Sequence, residues 1–154
     1  MYPNWMEQTS TRGLMRMSTK TKVIQSSGKR KTAIARAVLH YPAKGLIKIN
    51  NVPLQVYEPE LARQRIQEVL EIINHPKMEK CDISVKVKGG GRKGQTEAVR
   101  MAIAKALNQL IGTKTLERIF REYDNSLLSG DSRRTEPKKF GGKKARARRQ
   151  KSFR

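Results

Sequence analysis

KGGGRKGQT, residues 88–96, decides between two folds. Gly89, Gly91 and Gly94 stand at the G-x-G-x-x-G spacing of dinucleotide-binding turns, and that reading would make the chain a doubly wound parallel α/β protein. Such a site needs a mostly apolar parallel strand before the glycines, another strand after the helix, and an acid about 20 residues on for the ribose. The run CDISVKVKG before the glycines instead alternates Ile83, Val85 and Val87 with Ser84, Lys86 and Lys88, one core face and one basic face. Glu117 lies in a second helical segment with no strand before it. The Walker form fails as well, because Gly94 is followed by Gln95 and Thr96 where Lys and then Ser or Thr are required. What remains is physical. The backbone of Gly89, Gly90, Gly91 and Gly94 can expose N–H groups, a helix start adds partial positive charge, and Lys88, Arg92 and Lys93 add full charges. That is a seat for phosphate, and a polynucleotide backbone would fill it.

Helices and strands follow outward from this loop. GQTEAVRMAIAKALNQLIG (94–112) places Ala98, Val99, Ala102, Ile103, Ala106, Leu107 and Leu110 on one side and ends at Gly112. EPELARQRIQEVLEIIN (58–74) carries an apolar stripe of Leu61, Ala62, Ile66, Val69, Leu70 and Ile73, with Pro59 in the first turn. A short helix over about 114–122 is expected to complete the domain. VIQSS (23–27), TAIARAVLHY (32–41) and GLIKIN (45–50) read as three consecutive antiparallel strands, with CDISVKVKG as a fourth. In the second run Ala33, Ala35, Ala37 and Leu39 share one face, which predicts close packing on a helix.

Charge names the class of partner. Of 154 residues, 34 are Lys or Arg against 13 Asp or Glu, a formal net charge of +21. Such an excess repels itself unless a polyanion neutralises it, so nucleic acid is the expected partner. No apolar run approaches the roughly 20 residues needed to span a bilayer, and the opening MYPNWMEQTSTRGLMRM has no apolar core of a secretory signal. Cys81 is the single cysteine, which excludes an intrachain disulfide and fits a reducing cytoplasm. Residues 1–20 are polar and unpatterned and are expected to be disordered, and Met17 reads as a natural start that leaves residues 1–16 as an extension.

The last segment, DNSLLSGDSRRTEPKKFGGKKARARRQKSFR from residue 124 on, has few apolar residues. Arg133, Arg134, Lys138, Lys139, Lys143, Lys144, Arg146, Arg148, Arg149, Lys151 and Arg154 face only Asp131 and Glu136 beyond its first residues, so the free tail should stay extended. Gly141 and Gly142 beside Phe140 permit tight passage while the aromatic stacks on a base. The organisation expected is therefore residues 1–20 as an extension, 21–124 as a globular RNA-binding domain and 125–154 as a basic tail. Catalysis has little support: His40, His75 and Cys81 are scattered as ordinary structural residues, and Glu58 and Glu60 simply suit a helix start.

GKRKTAIARA (28–37), GGGRKGQTEAVRMAIAKAL (89–107) and DSRRTEPKKFGGKKARARRQKSFR (131–154) resemble the signature blocks of the universal ninth protein family of the small ribosomal subunit. The resemblance spans about residues 22–154, and the SFR ending is more like the archaeal and eukaryotic branch than the bacterial one. It implies an α+β fold: a four-stranded sheet with helices packed on one face, a left-handed βαβ crossover, and a long extended basic C-terminal tail. It further implies a structural constituent of the subunit and no enzyme, cofactor or metal. The partners implied are small-subunit rRNA in the 3′ major domain of the head, neighbouring head proteins, and the anticodon stem-loop of peptidyl-site tRNA, without a membrane. Lys29, Arg30, Lys31 and Arg36 join Lys88, Arg92, Lys93 and the basic residues of 133–151 as the expected rRNA contacts. Phe153 and Arg154 are the expected tRNA contacts. Bacterial members commonly end in Lys then Arg, so Phe153 is a departure, and stacking on a base and packing on protein both stay open for it. From a different class, a free-standing basic RNA chaperone would bind with equal salt sensitivity and no preference among RNAs.

Overall fold

A computed structural model describes residues 21–147 and Ser152. The expectations for residues 1–20, and for Arg148, Arg149, Lys151, Phe153 and Arg154, lie outside the described residues. Alternating small and apolar residues form two long strands, β1 (Lys22–Arg30) and β2 (Ala33–Tyr41), paired antiparallel through the two-residue turn Lys31–Thr32. Ala33, Ala35, Ala37 and Leu39 are all buried, as their spacing predicts. β3 (Ile47–Ile49), β4 (Val52–Pro53) and β5 (Asp82–Lys88) complete one sheet of order β1-β2-β5-β3-β4.

Two expectations are corrected here. The sheet has five strands rather than four, and the third run lies parallel beside β5 rather than antiparallel beside β2. The neighbour of β2 is settled by ladder length and phase. β5 pairs with it at seven positions and sets Val87, Val85 and Ile83 opposite Ala35, Ala37 and Leu39, all core-facing, whereas β3 has three residues to offer. The extra strand comes from Asn50 and Asn51, both left-handed at φ 48° and 70°, which fold Val52 back against Ile49 in a hairpin of the tight primed type. Asn50 also completes the ladder with its side chain, accepting from Val87 N at 2.9 Å and donating to Val87 O at 3.2 Å.

Four α-helices are present among the described residues: α1 (Glu60–Ile73), α2 (Arg92–Ile111), α3 (Lys114–Asp124) and α4 (Ser126–Ser129). α1 carries the chain from the β3–β4 hairpin to β5, which lies parallel to β3. α2 is the centre of the molecule. Its predicted side is buried, and so are Met101, Ala104 and Arg100, because the sheet lies against one flank while α1 and α4 close the others. Approach to the sheet is close enough that a Cβ on Gly28 would clash with the carbonyl oxygen of Ala98. Ser26 Oγ accordingly donates to Ala102 O at 2.6 Å, satisfying a hydroxyl that packing has taken from water. Leu127, within the stretch expected to be tail, is only 1% exposed and belongs to this core. The opposite face of the sheet, presenting Ile34, Arg36, Lys86 and Lys88, is exposed.

Candidate nucleic-acid interface

Packing gathers at one end of the sheet three basic blocks that lie far apart in the sequence. Arg30 ends β1 and Lys31 opens the turn after it, left-handed at φ 54°. Against it lies the glycine loop. Gly89 (φ 76°) and Gly90 (φ 69°) are both left-handed, and Cβ atoms there would meet Thr32 O at 2.6 Å and the backbone nitrogen of Ala33 at 3.0 Å. These two glycines are therefore required by the fold itself, for backbone conformation and for seating the loop on the hairpin turn. Gly91 and Gly94 differ: a Cβ on Gly91 would meet nothing within 4 Å, and one on Gly94 would make ordinary contacts at 3.6 Å. Gln95 closes the loop by donating from Nε2 to Gly89 O at 3.1 Å.

The loop delivers the chain into α2 with Gly91 as the N-cap, so no side chain caps the first N–H groups of that helix. Its first turn holds Arg92 and Lys93 and no acid, whereas the first turns of α1 and α3 contain Glu60 and Glu117. Unsatisfied N–H groups, the positive end of the helix dipole and two exposed cations thus coincide, a combination that favours an anion.

The third block begins at Asp131, at the head of the basic C-terminal segment. Arg30 Nη2 stands 2.9 Å from Asp131 Oδ2, its Nη1 donates to Arg133 O at 3.1 Å, and Arg30 and Asp131 pair as a parallel β-bridge. Arg133 holds the same carboxylate through its side chain at 2.7 Å and through its backbone N–H at 2.8 Å. Those bonds from Arg133, with the charge of Arg30 behind them, lower the pKa of Asp131 to about 2. Arg146 similarly pairs with Glu136 at 2.6 Å, which pulls that carboxyl below its ordinary value. Three of the expected RNA contacts, Arg30, Arg133 and Arg146, are thus engaged with carboxylates. Lys29, Lys31, Arg36, Lys88, Arg92, Lys93, Arg134, Lys138, Lys139, Lys143 and Lys144 form no ion pair among the described residues. All are exposed. Phe140 is fully exposed, its relative accessibility 108%, beside a left-handed Gly141 at φ 84°.

Sequence reasoning missed Arg100, 5% exposed in the middle of α2 and paired with Glu97 at 3.0 Å and Glu68 at 3.2 Å. Glu97, three residues before it, is a local sign of one pair, but nothing local tells that Glu68 of α1 supplies the second. His75 and Cys81 are engaged locally: His75 Nδ1 accepts from Lys77 N at 3.1 Å, and Cys81 Sγ donates to Lys77 O at 2.8 Å. Burial raises the Cys81 thiol pKa, followed by the charge of Asp82, so it is a poor nucleophile. Among the described residues no three His, Cys, Asp or Glu side chains gather as metal ligands, and no helix is long and apolar enough to cross a membrane.

Known proteins share this sequence over nearly its whole length. A profile of the family described as ribosomal protein S9/S16 matches residues 28–154. The small ribosomal subunit protein uS9 of Desulfurococcus amylolyticus is 49% identical over 138 residues, covering 90% of this chain and 97% of the relative. Proteins of the same name from Methanothrix thermoacetophila and Debaryomyces hansenii are 48% and 46% identical, covering 86% and 87% of this chain and 99% of each relative. With the glycine loop, the basic hairpin turn and the tail all inside the matched region, the chain belongs to the ribosomal protein S9/S16 family.

Proposed function

We propose that this chain is a structural constituent of the small ribosomal subunit and binds the rRNA of its head without performing chemistry. Its family is one of ribosomal proteins, structural and not enzymatic. The observation that carries the RNA reading is the convergence at one end of the sheet: the uncapped start of α2 with Arg92 and Lys93, the turn with Lys31, and the root of the tail. Phosphates of the 3′ major domain take the seat at the glycine loop, and Arg134, Lys138, Lys139, Lys143 and Lys144 bind further phosphates as the tail runs outward.

Within the same proposal the β3–α1–β5 crossover is left-handed, the tail is extended and threads through RNA towards the decoding region, and Phe153 and Arg154 meet the anticodon stem-loop of peptidyl-site tRNA. Other head proteins flank it, and the assembled subunit works in the cytoplasm. Every neutralised phosphate releases counterions, so binding should fall steeply with salt. RNA shape and the number of simultaneous contacts supply the specificity.

Sedimentation of a native lysate at raised salt tests the reading. Stoichiometric migration with the small subunit is expected. Migration at the top of the gradient, or scatter over RNAs of every size, would refute a fixed place in the particle and point to a free RNA chaperone. In subunits that carry the chain, deletion of Arg154 is expected to spare assembly and weaken the hold on peptidyl-site tRNA.

A further inference from the structure

The sheet has a second face, turned away from the helices, that the glycine loop touches only at its rim. Strand register arranges it in rows. Lys29, Ile34 and Lys88 lie side by side across β1, β2 and β5, and the next row sets Ser27, Arg36 and Lys86 together. Beyond them Gln25, Val38 and Ser84 lead to Lys48 on β3. A shallow trough of about 870 Å³ runs over Ile34, Arg36, Val38, Lys86 and Lys88.

All charges in these three rows have one sign, and a carboxylate enters only in the row after them. Lys29, Arg36, Lys48, Lys86 and Lys88 are exposed and form no ion pair among the described residues. Asp82, the carboxylate in the last row beside His40, accepts from the backbone N–H groups of Lys44 and Leu46. Arg36 stands directly opposite Lys86, and like charges so placed destabilise a sheet. The free chain thus holds an unfavourable juxtaposition that an anion would reverse.

We propose that this open face is a second RNA-binding surface, on which one run of rRNA backbone crosses β2 and β5 with phosphates on Arg36, Lys86 and Lys88 and sugars against Ile34 and Val38. It rests on the ribosomal reading above. RNA fits better than a protein here because the three rows and Lys48 hold five cations and no carboxylate, while Ile34, 41% exposed, and Val38, half-buried, give the sugars an apolar seat between them.

The test uses the full chain and an archaeal-type small-subunit rRNA transcript, with affinity measured across a salt series. Arg36→Gln with Lys86→Gln is compared with Lys143→Gln with Lys144→Gln in the tail. The sheet variant is expected to bind at least tenfold more weakly and to lose about two from the slope of log affinity against log salt, roughly 0.9 for each phosphate released. Its thermal midpoint without RNA should stay level or rise. An unchanged slope in the sheet variant, with a reduced slope in the tail variant, overturns this surface and leaves the proposed function standing. A lowered thermal midpoint also overturns it, since the two cations would then be supported by the fold. Wild-type protein that does not bind the transcript defeats both.

Discussion

Arg30 at the end of β1 and Asp131 after α4 form an ion pair at 2.9 Å, and that contact ties the basic segment after α4 to the edge of the sheet. One carboxylate there is shared between Arg30 and Arg133. The segment from Asp131 to Arg133 is therefore held against the end of β1.

The titration of Asp131 follows. Folding lowers its pKa to about 2 from an ordinary value near 4, so the pairing supports the folded tail root above the ordinary range and is lost as pH falls through about 2. Carboxyl NMR should show that low midpoint. Arg133→Gln should move it up more than Arg30→Gln, because the side-chain bond from Arg133 is the largest cause and the charge of Arg30 the smallest. Equal movement in both variants would contradict the assignment.

The glycines of the loop should separate by role. Gly89→Ala combines a φ of 76° with a backbone clash at 2.6 Å and is expected to cost about 2–3 kcal/mol. Gly91→Ala has no such clash and should cost less than about 1 kcal/mol, chiefly as a poorer N-cap. In RNA binding, however, Gly91→Ala should weaken affinity severalfold, because its methyl group blocks the approach of a phosphate. Chemical denaturation and a binding titration on the same samples check both halves.

Leu127→Ala is expected to destabilise the protein by about 2–4 kcal/mol, the ordinary range for a buried leucine. Denaturant melts would show it. A loss below about 0.5 kcal/mol would mean that α4 belongs to the tail and not to the body.

Arg100 gives a contrast of another kind. Its guanidinium holds Glu97 and Glu68, so Glu97→Gln should cost about 1–2 kcal/mol by leaving a buried cation with one carboxylate, itself partly exposed. Arg100→Met should cost less than Arg100→Ala, since the methionine retains the packing of the stem. Thermal melts of the three variants order them.

The three longer helices were legible in the sequence because their evidence is local, whereas α4 lies in the stretch read as tail. The stripes of α1 and α2 repeat every three to four residues, and Gly112 and Asn74 stop them in left-handed conformations at φ 65° and 31°. The buried face of β2 was legible for the same reason, from Ala33, Ala35, Ala37 and Leu39. The short strand β4 had a local sign in Asn50–Asn51, which only its two positive φ angles make unmistakable.

The amino-acid sequence by itself determined the charge, the three longer helices, the alternation of the long strands and the family. Tertiary structure decided which strand lies beside β2, that Leu127 is core, and that Gly90 seats on Thr32 and Ala33 while Asp131 pairs with Arg30 at the same end of the sheet. Strand neighbours and ion pairs depend on competition among distant segments for the same partner, and no window of adjacent residues contains that competition.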